Sequence, residues 1–260
     1  MEELGRARPD EVRRRCRSGE LSGATTGLSL GYVQANLVVL PAEAAAEFHE
    51  FCLANPQALP LIEVTGPGDP EPRQAAPGAD LRTDLPRYRV YRHGVLDAEP
   101  TDVRDVWPHD GVAFLLGCSF TAEARLLAAG VRLRHQESGR NVPMFVTSRP
   151  CTPVGRFHGP LVVSMRPIAS DSVETARRVT AALPRAHGAP VHVGDPSILG
   201  IDDLARPDFG DPIEPEPGET PMFWACGVTP QAVIRTTRPP LAITHAPGHM
   251  FVTDLRDDAE

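Results

Sequence analysis

The stretch Gly111-Val112-Ala113-Phe114-Leu115-Leu116-Gly117-Cys118-Ser119-Phe120 decides how the chain is read. Residues 111–117 are continuously apolar, the pattern of a strand buried on both faces rather than a half-exposed one. Helical signals follow at once over residues 120–129, closed by Gly130, a residue suited to the left-handed end of a helix. A strand that hands over to a helix through Cys118-Ser119 points to an α/β class.

The same alternation recurs on both sides. Residues 9–17 read as a short helix, with Asp10 and Glu11 in its first turn and Gly19 past its end. Leu37-Val38-Val39-Leu40 is a buried strand. Pro41 suits the first position of the next helix, which places Phe48, Phe51 and Cys52 on one face and stops at Asn55-Pro56. Further strands are expected at 161–165, 190–193, 221–226 and 241–245, with a helix over 172–183, while 66–78 and 207–221 read as surface loops. The expected fold is α/β, a mixed sheet with flanking helices plus a smaller inserted α+β subdomain. Residues 1–130 and 196–260 would form the main domain and 131–195 the insertion.

A second turn repeats the design of the first: Phe223-Trp224-Ala225 runs into Cys226-Gly227-Val228-Thr229-Pro230. Thr229 would cap and Pro230 would open a helical turn. Ligands of open α/β sheets bind beyond the carboxyl ends of strands. A thiol placed there would feel the positive end of a helix dipole, which lowers its pKa. Cys118 and Cys226, with Ser119 and Thr229 beside them, are therefore catalytic candidates. The competing reading is that both thiols are small buried hydrophobes.

Composition closes several routes. All 26 basic residues of the 260-residue chain are arginine, which excludes a lysine Schiff base and a Walker-type P-loop. Five cysteines, an odd number without a C-x-x-C pair, argue against a zinc ribbon or a disulfide framework. A net charge of -8 and no basic stripe argue against nucleic acid as a partner. No apolar run approaches the ~18 residues of a membrane span, and Met1-Glu2-Glu3-Leu4 lacks a leader pattern. A cytoplasmic protein is expected, with no membrane partner. Its partner would be a small carboxylate or amino acid, and homo-oligomerisation stays open.

Other candidates lie in polar residues at apolar places. His187 and His192, with Asp195 close by, and His245 and His249 around Ala246-Pro247-Gly248 suit acid–base work or metal ligation. The turn in His-Ala-Pro-Gly-His removes the helical i,i+4 presentation of zinc proteases, and no metal is assigned. Arg82, Arg87 and Arg166 would grip a carboxylate bidentately, unless internal pairs with Asp80 or Asp84 take them. Thr25 could hold a ligand carboxylate or cap a helix. Gln34 and Asn36, in an apolar stretch, need partners if buried.

At these residues the chain resembles the D-glutamate cyclase family, whose bacterial members are carried as hydro-lyases. The matching stretches include Gly31-Tyr32-Val33-Gln34-Ala35-Asn36-Leu37, Arg82-Thr83-Asp84-Leu85-Pro86-Arg87-Tyr88 and Gly117-Cys118-Ser119-Phe120. They continue through Asn141-Val142-Pro143-Met144, Val163-Ser164-Met165-Arg166-Pro167 and His187-Gly188-Ala189-Pro190-Val191-His192 to Phe223-Trp224-Ala225-Cys226-Gly227-Val228-Thr229 and Ile243-Thr244-His245-Ala246-Pro247-Gly248-His249. Ala58, where the family pattern has cysteine, departs from it. The resemblance implies a two-part α/β fold and conversion of D-glutamate to 5-oxo-D-proline with loss of water, without a cofactor.

That reaction asks for a carboxylate clamp (Arg82, Arg87 or Arg166) and a proton acceptor (His192 or His245, with Asp195 orienting). It also asks for donors to the tetrahedral oxygen, from amides after Cys118 or Cys226 with Ser119 or Thr229. Dehydration of another hydroxy acid, cofactor-free racemisation by two facing thiols, and non-catalytic carboxylate binding remain open.

Overall fold

The computed structural model describes residues 2–257; Met1, part of the opening read for a leader, lies outside them. Two short helices, α1 (Glu2–Gly5) and α2 (Pro9–Arg17), lead into β1 (Tyr32–Leu40). This strand is buried along nearly its whole length, as its apolar run requires. Helix α3 (Ala42–Ala54) follows and ends at Asn55. Then come β2 (Leu61–Val64), β3 (Tyr88–Arg92), β4 (Val95–Ala98) and β5 (Val112–Gly117). A 3-10 turn (Ser119–Ala122) passes directly into α4 (Glu123–Ala128), so the helix expected at 120–129 starts tighter than an α-helix.

The second half holds α5 (Arg134–Glu137), β6 (Met144–Pro150), β7 (Pro160–Ala169), α6 (Val173–Ala181), β8 (His192–Val193) and β9 (Glu219–Ala225). It ends with α7 (Thr229–Thr237), β10 (Leu241–His245) and β11 (Phe251–Arg256). The fold is α/β with flanking helices, and the mixed sheet expected resolves into two sheets with antiparallel pairings throughout. The first runs β2-β5-β1-β10-β3-β4, with β11 also on β1; the second runs β6-β7-β9-β8. The second sheet thus takes β9 from beyond residue 195. Among the described residues no helix is long and apolar enough to cross a membrane.

One interruption positions everything that follows. Strands β10 and β11 pair with the same strand, β10 opposite Val38 and Val39 and β11 opposite Tyr32 to Ala35. They are two pieces of one ladder, separated by residues 246–250. At the gap, the Leu37 N–H donates to the His245 side chain, Nδ1 at 3.2 Å. An imidazole therefore takes the place of a missing backbone partner, and the sheet opens beside Asn36.

Phe48, Phe51, Phe114 and Phe157 fill one face of the first sheet with edge-on and tilted contacts, under α3 and α7. Leu37, Val39, Leu115, Tyr88 and Phe251 fill the other. Helix α7 joins the sheets: Val233 and Ile234 pack with the first, while Ala232, and Val228 just before the helix, pack with Val162 of the second.

Gly117 ends β5 against the chain that carries His187. A Cβ there would lie 1.5 Å from the Arg185 carbonyl oxygen, whereas a Cβ on Gly23 would meet nothing within 4 Å. Gly117→Ala should therefore lower stability by about 2 kcal/mol or more, as overpacking against backbone does. Gly23→Ala should change little. Urea denaturation of the two variants checks this, and equal midpoints would contradict it.

Candidate functional site

The two strand-to-helix turns do converge. Cys118 and Cys226 share one buried apolar group with Val142, Val162 and Met250. The Cys118 Sγ receives the Phe120 N–H at 3.4 Å, capping the 3-10 turn. The expected lowering of the thiol pKa is not what this environment produces. Burial pushes Cys118 well up and Cys226 up to about 11, because loss of water costs the thiolate more than short turn dipoles return. Both groups are neutral thiols at neutral pH.

Next to them lies a fully buried ionic knot. Arg166, on β7, reaches Glu123 Oε1 with Nη2 at 2.7 Å, and the same nitrogen donates to Ser119 Oγ at 3.1 Å. Its Nη1 donates to Ser164 Oγ at 3.1 Å, and the guanidinium lies 5.7 Å from the Trp224 ring centre. Glu123 also meets His135 Nε2 at 2.8 Å through Oε1, and receives Gln136 Nε2 and the Thr26 hydroxyl through Oε2. Burial raises the Glu123 carboxyl, but His135 and Arg166 outweigh it and hold the group at about 2. Glu123 was not among the residues picked from sequence. Its signal was an acidic residue in the first turn after Ser119, on a face that proved buried.

Around this knot, buried polar atoms lack partners. Asn36 gives Nδ2 to the carbonyls of Leu116 and Gly117, Gln34 gives Nε2 to Thr25 and Leu28, and Asn141 gives Nδ2 to Pro247. Those donations fix each amide's orientation, and leave Gln34 Oε1, Asn36 Oδ1 and Asn141 Oδ1 unsatisfied. Arg166 Nε, Arg87 Nε, His187 Nε2 and His245 Nε2 are unsatisfied too. Gln34 and Asn141 are linked, because Thr25 ties Gln34 to Gly248 and Gly248 lies against Asn141, while Asn36 lies against Gly227. Buried polar groups normally find partners, which makes these orphaned atoms the candidate ligand contacts.

The histidines divide. His187 donates Nδ1–H to the Gln57 carbonyl at 2.8 Å, so its Nε2 lone pair is free. His245 is buried at the sheet gap. Burial pushes His187 down to about 4 and His245 down to about 3. His192 and Asp195 stand apart, at β8 on the edge of the second sheet. The His192 ring meets the Asp195 backbone oxygen, and the Asp195 carboxylate caps the turn at Ser197 instead of orienting the imidazole. Among the described residues no three His, Cys, Asp or Glu side chains are grouped to hold a metal ion.

Three further expectations change on the structure. Arg82 pairs with Asp80 at 2.8 Å, partly exposed, and takes no part in the buried network. Thr229 is not a cap: Val228 precedes the helix, and the Thr229 hydroxyl is spent on the backbone of Val162 and Cys226. Thr25 neither caps nor stands free, because its hydroxyl holds residues 248 and 250. Arg87 keeps its Nε unpaired, beside the loop that carries His249.

Comparison with known proteins identifies a family. Residues 112–254 match the family described as D-glutamate cyclase. A protein of Rubrobacter xylanophilus named "Putative hydro-lyase" is 62% identical over 247 residues, 95% of this chain and 95% of its own. A protein of Stutzerimonas stutzeri with the same name is 59% identical over 250 residues, 96% of this chain and 94% of its own. A nitrogen repressor-like protein from Methanococcus jannaschii, at 9% identity and a TM-score of 0.39 over 90% of this chain and 91% of that one, is too remote to bear on the fold.

The two depressed histidines set a pH dependence. As pH falls below the ordinary 6.5, the unfolded chain takes up protons that the folded His187 and His245 refuse until about 4 and 3. Their contribution is complete above pH 6.5 and lost progressively below it. The urea midpoint should therefore drop between pH 6.5 and 4, with a shallower slope in His187→Gln. A midpoint constant over that window would contradict the assignment.

Proposed function

Because the chain belongs to the D-glutamate cyclase family, we propose that it cyclises D-glutamate to 5-oxo-D-proline with loss of water. The observation that carries this reading is the chemistry of the orphaned atoms. Three side-chain carbonyl oxygens, on Gln34, Asn36 and Asn141, want N–H donors, and an ammonium is the small group that supplies three. Arg166 Nε wants an acceptor, and a carboxylate supplies it. Together they complement an amino acid.

With the α-carboxylate on Arg166 and the nitrogen among the three amide oxygens, the γ-carboxyl turns toward Ser119 and the thiols. His187 Nε2 relays a proton from the ammonium to the departing γ-carboxyl oxygen, so it never keeps the charge that its burial disfavours, and the freed amine attacks the γ-carboxyl carbon. A C–N bond forms and a C–O bond breaks. The two protons given up by nitrogen leave with the oxygen as water, so the sum needs no other reactant. Ser119, whose oxygen already receives Arg166, keeps its own hydrogen for the tetrahedral oxygen. Neutral Cys118 and Cys226, their pKa values raised by burial, stay protonated throughout and do not act as nucleophiles. Racemisation would need one thiol ionised, which the raised values disfavour.

Purified protein with D-glutamate should form 5-oxo-D-proline, read by chiral chromatography, and L-glutamate should form none. Asn36→Leu should lower kcat/KM by about a hundredfold, the range for removing a group that positions the reacting atoms. Its melting temperature should stay within a few degrees. Absence of product from D-glutamate at any enzyme concentration would remove the reaction.

A further inference from the structure

A cavity of about 590 Å3 shares none of its lining with the orphaned buried atoms. It lies where the hairpin of β3 and β4 meets the C-terminal end of α7 and the 208–209 segment. Three guanidinium groups line it, Arg89, Arg235 and Arg238, with one carboxylate, Asp208. Arg89 and Tyr91, two apart on β3, point to the same face. Both bond Gln231 Oε1, Arg89 with Nη1 at 3.3 Å and Tyr91 with its hydroxyl at 3.0 Å. The Arg89 guanidinium also lies 5.7 Å from the Phe209 ring centre and pairs with Glu99. Arg238 closes α7 in the left-handed region at φ 52°, and its stem rests on the hairpin turn: a Cβ on Gly94 would lie 2.7 Å from Arg238 Cγ. The fold thus holds Arg89 and the stem of Arg238 in place.

The nearby carboxylates are spent elsewhere. Glu99 takes Arg89, Asp97 takes Arg92, and Asp208 accepts the Val146 N–H at 2.7 Å. Arg235 and Arg238 are exposed and form no ion pair among the described residues. The acidic residues of the chain ends start from the Tyr32 end of β1: the Asp257 N–H bonds Gly31, and the carbonyls of Leu4 and Gly5 accept Ser29 and Leu30. Strand β3 stands at the other end, reaching β1 only through β10, whose Ile243 and Thr244 lie opposite Val39 and Val38. From Tyr32 to Val39 the strand rises about 23 Å, whereas three residues reach about 11 Å at most. The rest of the lining is apolar: Val95 is 68% and Leu96 43% exposed, and Phe209 is half-buried.

We infer that this cavity binds an organic phosphate with an apolar body, an assignment independent of the cyclisation reading. Guanidinium forks hold phosphate oxygens through paired N–H donors. Arg235 and Arg238, three apart at the end of one helix, stand on the same side of it. A phosphate carries more negative charge than a carboxylate, which suits two unspent guanidiniums beside a third. Val95, Leu96 and Phe209 cover the apolar body, and the volume is that of a small-molecule site.

Isothermal titration calorimetry of the full chain with phenyl phosphate tests this, with inorganic phosphate and benzoate titrated alongside. Phenyl phosphate should bind saturably. The other two should each bind weaker by about tenfold or more, the scale of losing one apolar group or one charge-assisted hydrogen bond. Arg235→Glu and Arg238→Glu should each weaken phenyl phosphate by about tenfold or more and leave the urea midpoint unchanged. No saturable binding of phenyl phosphate, or binding indifferent to both charge reversals, would overturn the inference. Benzoate or inorganic phosphate bound as tightly as phenyl phosphate would overturn it too, because the cavity would then recognise only one part of the ligand.

Discussion

Arg166 and Glu123 meet at 2.7 Å with both side chains almost wholly out of water. A buried pair of this kind gains little net stability, because desolvating two ions costs nearly what their attraction returns. Its worth lies in geometry. Arg166 stands on the second sheet, and Glu123 opens the helix that follows β5 of the first. Neither charge tolerates being left alone, so the sheets are held in one relation. His135, Gln136 and Thr26 saturate the remaining carboxylate positions, which keeps Glu123 ionised without further help.

The interior beside the pair is consequently neutral overall yet rich in directional groups. The gap between β10 and β11 adds to this, because it leaves β1 without a strand partner beside Asn36 and Leu37 on that side, where the His245 imidazole takes the Leu37 N–H. Apolar packing on the far faces of both sheets supplies the stability that such a polar interior lacks. Neutral thiols, neutral imidazoles and unspent amide oxygens are thus all held in the dry interior, where a hydrogen bond is strong because water does not compete.

Much of the fold was legible in sequence. The continuous apolar run before Cys118, the helix after Pro41 and the strand into Cys226 all stand where pattern placed them, although Pro41 precedes the helix instead of opening it. Strand β11 escaped because Phe251-Val252-Thr253-Asp254 looks like a half-exposed tail until β1 offers it an edge. Sequence singled out Cys118, Ser119, Arg166, Gln34 and Asn36, which the structure gathers. It also singled out Arg82, His192 and Asp195, which form local contacts with near neighbours. Whether an arginine or histidine spends itself on a nearby residue is a matter of rotamer and backbone course, which no pattern of residue types encodes. Glu123 and Asn141 were passed over for the converse reason: each looks like an ordinary surface residue until the neighbours that bury it are in place.

The central claim is that the orphaned amide oxygens and Arg166 Nε together outline an amino-acid site. A crystal structure of the protein soaked with 5-oxo-D-proline tests it most directly. The lactam nitrogen should lie within hydrogen-bond distance of one or more of the Gln34, Asn36 and Asn141 oxygens, and the carboxylate on Arg166 Nε. Ligand bound elsewhere, with ordered water saturating those atoms, would contradict it.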